Sequence, residues 1–286
     1  MGILNGLLAM LFWGVAIFLA AIVARKIGNI LTLFWMQLFG FLVGLVYFLF
    51  NFRSLLITSS FHLIPILSII AILQVIAYLA FYKGLEKGKV SLVSPIGASW
   101  SLMVAILSVI FFKEILKVNQ LIAITAIICG IIIISINFKD VFKSKSLKLL
   151  TGVKEGIISL LGWGVSLFLL ISVSKELGWF LPTFIFRLLM LGILSTYLIS
   201  TKKPFISKTN KFPWLFLLLI GLFDICAFFA YSLGVSNAYG SVVAPISSAN
   251  TLVTITLGVF ILKERLYLRQ LVGIGTIVLG LILISL

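Results

Sequence analysis

The sequence predicts an all-α membrane protein: ten transmembrane helices arranged as two inverted five-helix repeats around a central cavity. Three observations predict it. Apolar runs of membrane-spanning length follow one another along the whole chain, the two halves match at one ungapped offset, and charged residues fall between the runs. Hydrophobic residues make up 62% of the 286 and charged ones 10%, with a mean hydropathy of +1.30. Soluble domains are about 45–50% apolar, so most of this chain cannot face water.

Taken between charged or Gly/Pro breaks, the runs cover 2–24, 30–50, 63–84, 90–112, 120–136, 152–173, 181–200, 213–234, 241–262 and 269–286. Each is close to the length that crosses a ~30 Å hydrocarbon core at about 1.5 Å per residue. Lipid offers backbone N–H and C=O groups no partner, so such runs have to be helices. The first run has no basic segment before it and reads as a retained helix, not a cleaved signal. The segment 138–150, with Lys139, Lys143, Lys145 and Lys148, reads as a basic linker between a first repeat, 1–137, and a second, 151–286.

The two repeats align at an offset of 150 residues. Trp13-Gly14-Val15 matches Trp163-Gly164-Val165, Gly28 matches Gly178, and Gly84 matches Gly234. Pro95-Ile96 matches Pro245-Ile246, Lys113-Glu114 matches Lys263-Glu264, and Gln120 matches Gln270. Gly130 with Gly280 and Ser135 with Ser285 complete the register. Shared apolarity explains matched Leu and Ile, but not matched Trp, Gly, Pro, Glu and Gln without a gap. Five spans per repeat is an odd number, so the second copy enters the membrane from the opposite face. That inverted plan recurs in secondary transporters, where the cavity between the halves opens to either side. The loops after odd-numbered spans carry most of the Lys and Arg, which places those loops in the cytoplasm and both termini outside.

Composition also excludes. The net charge of +15 sits at span ends, where it meets anionic headgroups, and not in a nucleic-acid-binding patch. Cys129 and Cys226 lie inside apolar runs without metal-ligand spacing and read as small buried hydrophobes; no metal and no cofactor is expected. The single histidine, His62, flanks a span and reads as interfacial. There is no HExxH, no phosphate-binding G-K-[ST] loop and no pair of membrane aspartates, so an intramembrane enzyme is the rival reading and not the preferred one.

The ordered motifs resemble the drug/metabolite transporter superfamily, in particular its ten-helix EamA-like members, over essentially the whole chain. The carriers are LFWGVAIF and LGWGVSLF in the first helix of each repeat, SLVSPI and SVVAPI early in the fourth, FFKEIL and ILKERL after it, and a Gly-containing fifth helix. The resemblance implies a basket-like bundle that exports or exchanges small metabolites. The Arg common in the second helix of such a repeat stands here only as Arg187, with Gln37 at the matched position, and a polar residue follows Trp-Gly only as Ser166.

An ionisable side chain inside a membrane span is functional by default. Asp224, near the middle of the eighth span, and Arg187, in the seventh, are such residues, and their depths allow an ion pair. The offset places Gln74 opposite Asp224 and Gln37 opposite Arg187. These four are the candidate substrate-binding polar residues: a carboxylate and a guanidinium for a zwitterion, or Asp224 as a proton carrier. Tyr78 and Tyr82 follow Gln74 along one helical face, and Phe228 and Tyr231 stand similarly to Asp224. Tyr78, Tyr82, Trp13, Trp163, Trp100 and Asn250 are the remaining candidate lining residues, as ring surfaces or as packing, with Phe228 and Tyr231 as flanking rings. Trp35, Trp179 and Trp214 read as interfacial-belt residues. Pro95 and Pro245 are candidate gate hinges, since proline bends a helix, and Gly40-x-x-x-Gly44 is a helix-packing face.

The functional expectation is an alternating-access exporter or exchanger of small polar metabolites in the cell membrane, a multi-pass protein and not an enzyme. Amino acids are the leading substrates, and proton coupling is the coupling considered. A flippase for a lipid-linked metabolite is the alternative within transport. The expected partners are the small-molecule substrate and membrane lipids, with no nucleic acid and a monomer favoured over a dimer.

Overall fold

The computed structural model describes residues 2–51, 61–112, 118–135, 150–207, 212–238 and 240–283, and within these it is helical with short turns. Lys113, Glu114, Ser285 and most of the basic linker lie outside the described residues. The helices are α1 (Gly2–Ile27), α2 (Asn29–Phe50), α3 (Ile64–Lys87), α4 (Val90–Ala98), α5 (Trp100–Phe112) and α6 (Val118–Ser135) in the first half. The second half has α7 (Val153–Leu177), α8 (Leu181–Ser200), α9 (Trp214–Asn237), α10 (Gly240–Ser248), α11 (Asn250–Phe260) and α12 (Leu268–Leu283).

Among the described residues, eight helical stretches are long and apolar enough to cross a membrane, with α4–α5 and α10–α11 each counted as one; α6 and α12 are shorter and apolar. Large apolar side chains cover the outside of the bundle, among them Phe50, Ile110, Leu215 and Phe260. Water does not tolerate so much exposed hydrocarbon on a monomer, whereas lipid does. The chain is a multi-pass integral membrane protein.

Each half-bundle is completed by the other. Helix α1 packs along α9 and α7 along α3, while α6 and α12 pack together. The residues in contact repeat at the same offset as the sequence. A Cβ on Gly14 would lie 2.5 Å from that of Val253, and one on Gly164 would collide with the matched Met103. A Cβ on Gly130 would meet Ile277 at 2.6 Å, and one on Gly280 would meet Ile127 at 2.6 Å. The matched glycines are therefore sites where one half's helix is pressed against the other's. At Gly28 and Gly178, φ is +82° and +77°, a conformation open to glycine, where each repeat's first helix turns directly into its second.

The fourth span of each half is broken, but not at its proline. Helix α4 ends at Ala98 and α10 at Ser248, so the breaks fall at Ser99 and Ala249, four residues beyond Pro95 and Pro245. Hydroxyls take over the carbonyls near the break: Ser99 Oγ donates to the Pro95 carbonyl and Ser248 Oγ to the Pro245 carbonyl, both at 2.8 Å. The first residues after the breaks are Trp100 and Asn250.

One expectation changes, and one residue gains a partner. Cys129 is exposed on the surface of α6, where lipid would surround it, and not buried; Cys226 is partly buried. His62 sits on a short 3-10 turn with Nε2 2.9 Å from Glu176 Oε1, so it joins the two halves at that end of the bundle.

Helices α2 and α9 cross at backbone distance. A Cβ on Gly221 of α9 would stand 2.8 Å from the Met36 carbonyl and 2.9 Å from the Gly40 amide of α2, which are backbone atoms that cannot rotate away. Gly221→Ala is expected to destabilise the purified protein by about 1–3 kcal/mol in thermal unfolding. Gly192→Ala, on the open face of α8 with nothing within 4 Å, is expected to be neutral or stabilising by up to about 1 kcal/mol.

Candidate functional site

Helices α2, α3, α8 and α9 meet around one buried guanidinium. Arg187 is fully buried, the largest side chain to be so. Its Nη2 is 2.6 Å from Asp224 Oδ2, and its Nη1 donates to Gln37 Oε1 at 2.8 Å. Tyr78 donates its hydroxyl to the other carboxylate oxygen, Asp224 Oδ1, at 2.7 Å. The guanidinium also lies 5.6 Å from the Phe228 ring centre, within cation–π reach. Gly40 makes the room: a Cβ there would stand 2.6 Å from Arg187 Nη1. A charge in such surroundings survives only when paired and hydrogen-bonded, and this chain of contacts runs from α2 through α8 and α9 to α3.

Asp224, but not Arg187, also lines a narrow cavity of about 30 Å³, walled by Trp13, Ala16, Ile17, Tyr78, Tyr82, Trp100, Trp163, Leu167, Asp224, Phe228 and Asn250. Its rings pack edge to face or tilted against one another. Trp13 contacts Trp100, Phe228 and Tyr231, while Trp163 contacts Tyr78 and Phe81. Tyr82 is turned away by its hydroxyl, which donates to Met36 Sδ at 2.8 Å. Asn250 is 3% exposed, and its Oδ1 has no hydrogen-bond partner among the described residues.

The model of the EamA-like transporter family matches residues 1–136 and again 150–286. The chain belongs to the EamA-like transporter family. It is 35% identical, over 135 residues, to an uncharacterized protein of Methanocaldococcus jannaschii, across 47% of this chain and 96% of that one. That relative is about as long as one half of the present chain. A solved crystal structure of a protein superposes with a TM-score of 0.70 at 15% identity, over 99% of this chain and 95% of that one, a likeness of fold alone. Family membership identifies a membrane transporter of small molecules.

The expected residues divide into two groups in this transporter. Trp13, Tyr78, Tyr82, Trp100, Trp163, Asp224 and Asn250 are brought together on the cavity wall. Arg187, Gln37 and Gln74 are not on it. The pairing expected of Arg187 and Asp224 is present: Nη1 and Nη2 are engaged, Nε has no partner among the described residues, and Arg187 is not on the cavity wall. Gln37 holds Arg187, and Gln74 is fully buried with neither side-chain polar atom bonded among the described residues. Depth along a span was readable from sequence, but the angle around the helix axis was not. Phe228 was foreseen only as a flanking ring, and Ala16, Ile17 and Leu167 were missed for want of any polar signal. Of these, Ile17 and Leu167 are matched to each other by the repeat.

The second Lys-Glu motif also has a definite place. Glu264, on the α11–α12 connection, caps the N-terminus of α4 in the other half. Its Oε1 accepts from the Val90 amide and its Oε2 from the Ser91 amide, both at 2.9 Å, and the Ser91 hydroxyl donates to Oε2 as well. Arg25 of α1 joins them, with Nη2 3.5 Å from Glu264 Oε1 and 2.9 Å from the Gly88 carbonyl. A carboxylate on free N–H groups at a helix start is held by hydrogen bonds and by the helix dipole together. This clamp ties α1, the α3–α4 turn and the α11–α12 connection together at one end of the bundle.

Breaking the buried ion pair from one side strands a charge. Asp224→Asn and Arg187→Gln are each expected to cost about 3–5 kcal/mol in unfolding of the purified protein, and the double variant clearly less than their sum. Additive losses would show that the two side chains do not act as a pair.

Proposed function

We propose that this EamA-like protein is an alternating-access secondary transporter of the cell membrane that exports or exchanges small metabolites through the cavity between its halves. The observation that carries the reading is the make-up of that cavity. Its wall is drawn from both halves at matched positions: Trp13 with Trp163, Ile17 with Leu167, Tyr78 with Phe228, and Trp100 with Asn250. A site on the pseudo-symmetry axis of two repeats, 1–137 and 151–286, is the site that both conformations of an inverted-repeat transporter share. The ten-span, inverted arrangement is part of this proposal, with the odd-numbered loops in the cytoplasm.

Alternating access needs a closure that can be undone. The Glu264 clamp supports that role, since it joins the second half to α1 and α4 of the first at the odd-loop end. The breaks at Ser99 and Ala249 give the two fourth spans a joint at cavity depth, which is where Pro95 and Pro245 would act as hinges. Within the cavity, Asp224 is the group suited to carry a coupling proton. Its carboxylate faces the cavity and is bonded through both oxygens to groups on other helices. An amino acid would place its ammonium against Asp224, but its carboxylate would find no cation among the lining residues.

Reconstituted protein is expected to exchange labelled metabolite across vesicles in a counterflow assay with a broad metabolite panel. Failure to move any of them would remove the transport reading. Asp224→Asn is expected to abolish the dependence of transport rate on pH; an unchanged pH profile would move the coupling site elsewhere. With Cys129 and Cys226 replaced, cross-linking Arg25→Cys to Glu264→Cys is expected to stop exchange and reduction to restore it. Exchange that continues across the cross-link would show that this end does not open.

A further inference from the structure

We propose that the cavity is a site for an organic ammonium ion, a primary or secondary amine carrying a small flat apolar body, and not for a zwitterion or an anion. The inference rests on the transport reading above and names its substrate class.

The wall carries indole N–H and amide donors, but its charge is of one sign. Asp224 is the single ionised side chain among the described lining residues, which include no Lys, Arg or His. Its positive partner, Arg187, lies behind it and is fully buried, bonded to Asp224 and Gln37. The pair is neutral as a unit but acts as a dipole, with its negative end at the cavity and its positive end turned away. Asn250 Oδ1 adds a second acceptor, buried and without a partner among the described residues. Tyr78 spends its hydroxyl proton on Asp224, and a carboxylate oxygen retains a lone pair beyond that bond. A ligand donor can meet both Asp224 and the unpartnered Asn250 oxygen, and an unpaired buried acceptor is costly enough to favour one.

The rest of the wall favours a cation over a neutral donor. Trp13, Trp100, Trp163, Tyr78, Tyr82 and Phe228 surround the space, and the electron-rich faces of such rings stabilise an ammonium group stripped of water, Trp most of all. A flat apolar body would stack on the same rings once the space between them widens. A ligand carboxylate would meet Asp224 at low effective dielectric with no counter-charge on the wall, a like-charge contact that discriminates strongly.

Three ligands with one body test this: phenethylamine, phenylalanine and 3-phenylpropionate, which carry the ammonium alone, both charges, and the carboxylate alone. None of them obscures indole emission, so quenching of tryptophan fluorescence in the purified full-length protein reads their binding. Phenethylamine is expected to bind at least about tenfold tighter than either of the others. The double variant Asp224→Gln/Arg187→Gln removes both charges together, as the first half already does with Gln74 and Gln37, and is expected to erase that preference. Asn250→Leu, which breaks no hydrogen bond of its own side-chain oxygen, is expected to weaken phenethylamine several-fold and to leave 3-phenylpropionate unchanged. Equal or tighter binding of phenylalanine or 3-phenylpropionate, no binding of any of the three, or a preference that survives both variants would overturn the proposal. Counterflow of phenylalanine without phenethylamine binding would overturn it while leaving transport intact. Amine binding without counterflow of any metabolite would support the ammonium site and remove transport.

Discussion

A guanidinium with no route to water has to be neutralised where it stands, and much of the centre of this bundle is arranged around that requirement. Arg187 draws Asp224 from α9, Gln37 from α2 and, through Asp224, Tyr78 from α3. Those helices can converge because Gly40 and Gly221 let α2 and α9 approach to backbone contact beside it. The arrangement is a specific one, since leaving any charge of the pair unmatched in this interior is far costlier than keeping both. It also determines what the cavity sees. With the cation held behind the wall, only the acceptor face of the pair is presented.

The duplication supplies the scaffold on which this asymmetry is written. At position after position, one half's glycine receives the other half's side chain, and the matched glycine returns the contact. The neutral copy keeps Gln74 and Gln37 where the charged copy has Asp224 and Arg187. Both copies break their fourth span four residues past the proline, and the residue delivered to the cavity is a ring in one case, Trp100, and an amide in the other, Asn250. A symmetric frame with unlike residues at paired positions can hold a ligand in one orientation, which a symmetric site cannot do.

The closed end of the bundle follows a different principle. Glu264 makes no buried ion pair in the sense that Asp224 does. It spends its two oxygens on the first amides of α4, groups that any helix leaves unsatisfied at its start. The bonds are individually modest and only partly buried.

The sequence by itself determined the class of the protein, the spans, the repeat register and the identity of the charged residues, because each follows from composition and from matches along the chain. Apolar length forces helices in lipid, and an ungapped offset of Trp, Gly and Pro cannot arise from apolarity. It also led to the Arg187–Asp224 pair, since depth within a span scales with residue count. What only the tertiary structure decided was the azimuth of each side chain and the partner it meets. These α-helices are apolar on nearly every face, so no amphipathic stripe marked which side of α3 or α9 is inward. That is why Gln74 and Gln37 were expected on the wall but stand behind it, why Cys129 was expected inside but lies outside, and why Glu264 could be recognised as a repeated motif without its role as a cap. A residue's distance along a helix is written in the chain; the face it shows to a neighbour is settled when the helices pack.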